Sequence, residues 1–331
     1  MRNSLKYELN KRTFESDIGH KDSLSDLTIK NYKDYNAKFR DFCMKQGCNT
    51  FDKVQKAGAE LLRDYVKDMV ARGLSDATIH SYLSAPCKAL GLHMQDIEKP
   101  KRITAKGKRA AGTETERSSR EKISPEYKAA YDFCRATGVR EHEAQRMTGG
   151  CAVRDNNNML CVRVVSGKGG KEQLQRILPQ NEAVVLAAFA GKGEEEKLFT
   201  KKQFSKNINY HLARAKNAQD AYYYYHSTYQ TEADRQKLSK ALVEEYRAAL
   251  EKSKAEGKIK SFKDLEKRTA IFADNVIDNR DKVYRLRGNN LKLAIEKGLP
   301  VEYDRLALMA VSVFHLSHWR LDVTICNYML R

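Results

Sequence analysis

The chain has 331 residues, of which 41% are apolar, and its lysines and arginines (61) outnumber its aspartates and glutamates (43), giving a formal net charge of +18. This length allows two domains. The positive surplus predicts a polyanionic partner, with nucleic acid as the default interpretation and a basic surface without a partner as the alternative. There is no apolar run of about 18 residues that would predict a membrane span, and the polar N-terminus does not resemble a secretory signal.

The seven cysteines are scattered along the chain and are never spaced CxxC. This pattern predicts reduced thiols in a cytoplasmic protein and argues against a structural zinc site. His315 and His318 are three residues apart, but no cysteine or acidic pair nearby completes a metal site. We therefore expect neither a metal nor a cofactor.

Residues 1–24 are predicted as an N-terminal extension, and residues 25–98 as a small helical domain. Ser25 or Asp26 can cap its first helix, and Pro86 is expected to kink or end the third helix. The polar positions of these helices predict a cationic surface for DNA. Its candidates in this domain are Lys30, Lys33, Arg72 and His80.

Residues 99–121 contain almost no large apolar side chain and are predicted as an extended basic linker. A linker of this kind can follow DNA phosphates without sequence preference. A merely solvated tether is the alternative. The predicted phosphate contacts are Lys99, Lys101, Arg102, Lys106, Lys108 and Arg109.

Residues 122–331 are predicted as a second domain, mainly helical with a few short strands. A charged, tyrosine-rich stretch at about 218–280 predicts a helical insertion, for which a hairpin is one form. Since the insertion adds no catalytic residue types, we expect it to contact protein or flanking DNA and to lie outside any active site. The predicted strand runs are Cys151–Arg154, Met159–Val165 and Gln173–Leu178.

Four short motifs follow one another in this second domain. They are Gly138-Val139-Arg140-Glu141-His142-Glu143, Gly167-Lys168-Gly169-Gly170-Lys171, Tyr284-Arg285-Leu286-Arg287-Gly288, and LSHWRLDVTICNY from Leu316 to Tyr328. In this order they resemble the GxRxxE, GKGxK, HxLRH and LGHxxxxVTxxxY motifs of tyrosine recombinases, the phage integrase family that includes integrases of conjugative transposons. The resemblance covers about 25–217 and 280–331. It implies a mainly α fold with a small antiparallel sheet, arranged as a two-domain DNA clamp in which a helical core-binding domain joins a catalytic domain.

The chemistry of these residue types agrees with the resemblance. Transesterification at phosphorus builds negative charge on the non-bridging oxygens, and two permanently charged, forked guanidiniums suit that charge. The resemblance implies that Arg140 and Arg287 supply them and that Lys168 protonates the leaving 5′ oxygen. Tyr328 would attack phosphorus, with His318 binding the phosphate or handling the proton. The 3′-phosphotyrosyl product keeps the phosphodiester energy, so the reaction needs neither ATP nor a metal.

The third motif departs from the family, because Tyr284 stands where the family has histidine. Its hydroxyl can donate to a phosphate oxygen but cannot shuttle protons near neutral pH. Another segment, His211-Leu212-Ala213-Arg214, also reads HxxR, but it lies 107 residues before His318. Family members keep these motifs a few turns apart, so we expect the site to use Arg287 and not Arg214.

The predicted function is site-specific recombination that integrates or excises a mobile element. The resemblance implies a homotetramer on double-stranded DNA in the prokaryotic cytoplasm, associated with the nucleoid. One alternative is a regulatory or architectural DNA-binding protein on the same fold that has lost catalysis. It is favoured by Tyr284 and by the mere three residues after Tyr328, where many relatives have another helix. The other alternative is a type IB-like topoisomerase that acts as a monomer.

Overall fold

The chain forms two compact units, Met1–Arg109 and Ala110–Arg331, and the division falls within the segment predicted as a linker. Both units are mainly helical, and the second contains small antiparallel sheets, as the sequence predicts. No helix among the described residues combines the length and the apolar character needed to cross a membrane. The computed structural model describes residues 4–16, 24–102, 123–155, 158–165, 167, 172–257 and 261–331.

The described part of the first unit contains four helices and a short 3-10 turn. Ser25, Thr50 and Ser75 cap the second, third and fourth helices, because each side-chain oxygen accepts a hydrogen bond from the backbone N–H three residues later. These caps satisfy donors that a helix start leaves unpaired. The elements are α1 (Ser4–Glu15), α2 (Asp26–Lys45), α3 (Phe51–Ala71), α4 (Asp76–Ala89) and the turn Met94–Asp96.

Helix α1 lies in the segment predicted as an extension, yet it is part of the core of the first unit. Leu5 and Leu9 are buried in the same cluster as Phe39 of α2. Asn36 of α2 donates a hydrogen bond of 2.9 Å to the Thr13 hydroxyl, which in turn donates to the Leu9 carbonyl. Two leucines four residues apart are a weak helical pattern in a polar segment, so contacts with the other helices decide this helix.

Helix α4 continues through Pro86 and ends at Ala89, so the helix does not end at the proline. Proline removes one backbone donor from a helix. Leu83 and Cys87 on either side of Pro86 are nevertheless buried in the core. Burial of this face on both sides of the proline therefore outweighs the missing hydrogen bond.

The second unit alternates helices with short strands and ends in two short helices that each widen into a π-helical turn. Its elements in chain order are α5 (Pro125–Thr137), α6 (Glu141–Ala144), β1 (Ala152–Arg154), β2 (Leu160–Val164), β3 (Gln173–Arg176), α7 (Glu182–Phe189), α8 (Tyr210–Thr228), α9 (Glu232–Ala255), α10 (Phe262–Asp278), β4 (Val283–Arg285), α11 (Gly288–Glu296), β5 (Glu302–Asp304), α12 (Arg305–Ala310) with the π-helical turn Val311–His315, and α13 (Leu321–Thr324) with the π-helical turn Ile325–Met329.

The three predicted strand runs form one antiparallel sheet in the order β1-β2-β3. Cys161 of β2 lies opposite Val153 of β1 and Arg176 of β3. A second, two-stranded sheet pairs β4 with β5, and its register sets Tyr284 opposite Tyr303. Both sheets are short, so their buried faces complete cores that the helices dominate.

Helix α8 joins the two apolar cores of the second unit. Near its start, Ala213 packs into the core that contains Phe133 of α5 and Val162 of β2. Further along, Tyr222 and Tyr225 lie in the core built from the C-terminal helices. Residues near the start of α8 therefore lie where the two cores meet.

The segment predicted as an insertion is only partly peripheral. Helix α8 runs through its first part to Thr228, and the helix pair α9 and α10 then pack against each other. Leu238 and Leu242 of α9 and Val276 of α10 are buried in the C-terminal core. The base of the helix pair is therefore continuous with the rest of the unit.

Gly138, which follows α5, requires glycine for two reasons. Its φ is +68°, and an added Cβ would lie 2.5 Å from the side-chain oxygen of the buried Asn217. We expect Gly138→Ala to lower the free energy of unfolding by roughly 3 kcal/mol, of which about 1–2 kcal/mol is the left-handed backbone and the remainder the steric overlap. Urea unfolding of the two proteins measures the difference.

Gly191→Ala is the matched control, since Gly191 has φ +72° and its added Cβ meets nothing within 4 Å. Its cost should be the backbone contribution alone, about 1–2 kcal/mol. Equal losses in the two variants would contradict the close packing of Asn217 against Gly138.

Candidate active site

The GxRxxE motif builds a fixed position for Arg140. Gly138 ends α5 in the left-handed conformation, and Arg140 then stands at the N-cap of α6. The Glu143 carboxylate accepts hydrogen bonds from the Arg140 backbone nitrogen (2.8 Å) and from its guanidinium (2.5 Å). Because Glu143 is only 2% exposed, this carboxylate holds the Arg140 guanidinium in one orientation.

Tyr328 lies in the C-terminal π-helical turn and is 3% exposed. Its hydroxyl lies 3.0 Å from Nε2 of His318. The Gln219 side chain of α8 donates a hydrogen bond of 3.0 Å to the Tyr328 carbonyl. The tyrosine is therefore held both at its ring end and at its backbone.

Arg214 of α8 is fully buried and uses three nitrogens of its guanidinium to join separate segments. It donates to the carbonyl of Gly138, to the carbonyl of Leu316 at 3.1 Å, and through Nε to the Tyr328 hydroxyl at 3.4 Å. Burial lowers the pKa of Arg214, the Tyr328 hydroxyl opposes that shift, and the charge of Arg140 lowers the pKa further. The Arg214 guanidinium therefore lies at the Tyr328 hydroxyl, and Arg140 is close enough to Arg214 for its charge to act there.

His211 precedes Arg214 by three residues on the same helix and also reaches Tyr328. The two rings meet edge to face, with centroids 5.5 Å apart and an interplanar angle of 76°. The HxxR segment that sequence spacing led us to set aside thus supplies two side chains in contact with Tyr328. The sequence signal for these contacts was the HxxR motif itself, and α9 and α10 occupy much of the chain between it and His318.

Tyr284 and Arg287 have different surroundings. Tyr284 lies half-buried in β4, and burial raises its pKa. Arg287 is exposed at the N-cap of α11. Among the described residues neither side chain hydrogen-bonds to Tyr328. The α11 helix instead meets the C-terminal turn through the Asn290 amide, which lies 3.2 Å from the Cys326 sulfur.

Lys168 lies outside the described residues, in the connection between β2 and β3. Three of the predicted phosphate contacts in the linker also lie outside the described residues: Lys106, Lys108 and Arg109.

The other predicted DNA contacts are of two kinds. His80 and Lys99 are half-buried and engage backbone carbonyls, with His80 Nε2 2.9 Å from the Pro100 oxygen and the Lys99 ammonium 2.9 Å from that of Ile97. Arg72 is exposed and pairs with Asp68 at 3.1 Å. The remaining members of the set are exposed cations: Lys30, Lys33, Lys101 and Arg102.

The arrangement around Tyr328 suits nucleophilic chemistry on an anion. A phenol beside an imidazole can pass its proton to that ring. Guanidiniums held in place beforehand can stabilise charge that develops on a bound phosphate without reorganising. Tyr328, His318 and Arg214 are each held by a partner on another segment, and Arg140 is held by Glu143 of its own helix. These contacts give the site the rigidity such chemistry needs.

Comparison with models of known protein families finds no match, and comparison with curated proteins likewise finds none. The resemblance to tyrosine recombinases therefore remains a prediction from the motifs. The side-chain geometry around Tyr328 is independent of that resemblance and gives the functional argument its physical basis.

A buried histidine adjoins this site. His315 is fully buried, its Nε2 lies 3.2 Å from the Tyr225 hydroxyl, and its Nδ1 has no hydrogen-bond partner among the described residues. Burial, together with the charges of Arg176 and Arg214, lowers the pKa of His315 to about 3. The ring is therefore neutral in the folded protein at physiological pH.

Because His315 is buried in its neutral form, we expect the stability of the fold to fall in acid. The pKa of His315 is near 6.5 in the unfolded chain and about 3 in the folded one, so between these values the unfolded chain binds more protons and stability rises with pH. The contribution of the neutral His315 ring to stability is therefore complete above about pH 6.5. Between pH 7.5 and pH 5 the unfolding free energy of wild type should fall. In His315→Gln we expect this fall to be smaller by roughly 2 kcal/mol.

Urea unfolding at the two pH values measures this difference, with the exposed His93→Gln as the control that should behave as wild type. A parallel loss in wild type and His315→Gln would show that His315 does not carry the acid sensitivity.

Proposed function

We propose that this protein is a DNA strand transferase of the tyrosine recombinase type, which cleaves and rejoins duplex DNA through a covalent link to Tyr328. The observation that carries the proposal is the hydroxyl of Tyr328, which lies 3.0 Å from His318 and 3.4 Å from Arg214. A phenol with an imidazole and a guanidinium at its oxygen has a proton acceptor and a partner for negative charge. The order of the first, second and fourth sequence motifs supports the same reaction.

In the proposed reaction the Tyr328 oxygen attacks a DNA phosphorus, and its proton passes to His318. A bond forms between the tyrosine oxygen and phosphorus, and the bond from phosphorus to the 5′ oxygen breaks. The leaving oxygen takes a proton, which the resemblance assigns to Lys168. Attack by a 5′ hydroxyl on the phosphotyrosyl link then reverses these steps and rejoins the strand.

We further propose that Arg140 and Arg214 are the two guanidiniums that bind the non-bridging oxygens. Arg214 replaces Arg287 in this role because it bonds the Tyr328 hydroxyl, whereas Arg287 is exposed at the start of α11. His211, whose ring meets that of Tyr328, takes the position expected of Tyr284. Both changes of assignment are proposed from the contacts of one residue, Tyr328.

Recombination at a specific site, a mobile element as the context and a tetramer on DNA are proposed from the resemblance alone. A DNA partner is also supported by the net charge of +18 and by the exposed cations of the first unit. A DNA-binding protein on the same fold without catalysis is the second candidate. The observation that favours it is the burial of Tyr328, which is 3% exposed although its hydroxyl must reach phosphorus.

Tyr328→Phe separates the two candidates. The substitution removes one oxygen and hardly changes volume, so the fold and DNA binding should be retained, with a loss of about 1–3 kcal/mol in stability because the Arg214 Nε loses its partner. Since the phenolic oxygen becomes the covalent link, no solvent molecule can replace it. We expect wild type to form a protein–DNA adduct on nicked suicide duplexes in denaturing gels, and the variant to form none.

Tyr284→Phe is the matched control, because it removes the same oxygen from a second tyrosine, which is half-buried in β4, and should leave the adduct in place. Adducts that persist in Tyr328→Phe would mean a different nucleophile. Wild type that binds DNA but forms no adduct on its own target would favour the second candidate.

A second comparison tests which arginine acts with Arg140. Arg214→Lys keeps the charge but loses the planar fork, so adduct formation should slow by on the order of 10²–10³. Arg287→Lys, the same substitution at an exposed residue, should stay within a few-fold of wild type. Single-turnover adduct formation gives both rates, and circular dichroism confirms that the variants are folded. The reverse result would restore Arg287 to the site.

A further inference from the structure

We propose that the helix pair α9 and α10 is a positioning element of the candidate active site, acting through Trp319 on the turn that carries His318. This role replaces the peripheral one predicted from the sequence. The placement of His318 by the helix pair does not depend on the function proposed above. Its effect on catalysis does.

The turn that carries His318 has an unfavourable backbone. Ser317 and Trp319, the residues on either side of His318, have φ values of +51° and +56°. Residues with a Cβ rarely adopt this left-handed conformation, and two of them so close together persist only when surrounding contacts enforce it. The position of His318 therefore depends on what holds its two neighbours.

One set of contacts comes from the core beneath the turn. The Ser312 carbonyl accepts a hydrogen bond of 3.0 Å from the His318 nitrogen, and the Ser312 hydroxyl accepts one of 2.9 Å from the Arg320 nitrogen. Ser312 is fully buried, so it fixes the backbone at both ends of this short segment. These bonds leave the side chain of Trp319 to be placed by other groups.

The Trp319 ring is placed by one aromatic residue from each helix of the pair. Tyr246 of α9 and Phe272 of α10 stack on each other with ring centroids 4.1 Å apart. The Trp319 ring meets both of them edge on, at 5.1 Å from Tyr246 and 6.0 Å from Phe272. Offset-stacked and edge-to-face pairs are favourable and directional, so this cluster holds the indole in one orientation.

The helix pair is itself anchored, which lets it serve as a support. Leu238 and Leu242 of α9 are buried in the C-terminal core, and so is Val276 of α10. The same core contains Tyr328. The cluster of Tyr246, Phe272 and Trp319 therefore links the turn of His318 to the core that contains Tyr328, its hydrogen-bond partner. Tyr246 and Phe272 are positioning residues that act through Trp319.

Trp319 is the only tryptophan in the chain, so its fluorescence reports on the cluster directly. We expect Phe272→Leu and Tyr246→Leu to shift its emission to longer wavelength and to raise its quenching by acrylamide at least two-fold. Tyr246→Phe, which keeps the ring, should restore the wild-type values. The matched control is Phe262→Leu, the same change at an exposed residue about 15 Å along α10, which should leave the emission unchanged.

The site is read out in two further ways. The imidazole signals of His318 in NMR spectra should change in Phe272→Leu and stay as in wild type in Phe262→Leu. Adduct formation on nicked duplexes should slow by on the order of tenfold in Phe272→Leu, because small displacements of a catalytic group are costly. Where Phe272→Leu fails to fold, the half-buried Tyr246→Leu gives the same comparison.

Each outcome bears on one claim. Unchanged Trp319 emission in both leucine variants, or unchanged His318 signals despite a shifted emission, would overturn the positioning role. A wild-type adduct rate in variants whose emission has shifted would overturn it as well. If wild type forms no adduct on any DNA, the proposed function fails, and the fluorescence and NMR results still decide whether the helix pair positions His318.

Discussion

The burial of one guanidinium is the constraint on which the candidate site depends. An uncompensated cation inside a protein costs several kcal/mol, so Arg214 is tolerable only where oxygen atoms surround it. Those oxygens come from Gly138, Leu316 and Tyr328, which belong to three separate parts of the second unit. Moving any one of these segments away would leave one nitrogen of the buried guanidinium without a partner. The hydrogen bonds that compensate the burial therefore also fix the geometry of the site.

Helix α8 carries this constraint because it lies between two cores. Its first turns pack with α5 and the three-stranded sheet, and its later turns pack with the C-terminal helices. Arg214 sits between these two parts, and Gln219, five residues on, holds the carbonyl of Tyr328. A single rigid helix thus sets both the electrostatic partner of the tyrosine and the position of its backbone. Sites built on regular elements are held more precisely than sites on loops.

Local physical rules were enough to predict much of this arrangement. A serine before a polar first turn predicts a cap, as at Ser25, and a short run of mainly apolar residues predicts a strand, as along β2. The resemblance to the GxRxxE motif pointed to Arg140, and the structure explains its local conformation, because Gly138 adopts the left-handed turn and Glu143 bonds the arginine. The resemblance in the last motif pointed to His318 and Tyr328, whose side chains meet in the structure. In every case the deciding contacts lie within a few residues along the chain.

The partner of Tyr328 could not be predicted in this way. His211 and Arg214 form a readable HxxR pattern, but distance along the chain argued for Arg287 instead. Only the tertiary structure shows that α9 and α10 leave the core and return to it, which brings residues more than a hundred positions apart into contact. The N-terminal helix and the contacts of Trp319 could not be predicted either, because both depend on residues far away along the chain. The sequence by itself determined the local conformations and the residue types of the site, while long-range packing of buried groups decided which of them meet.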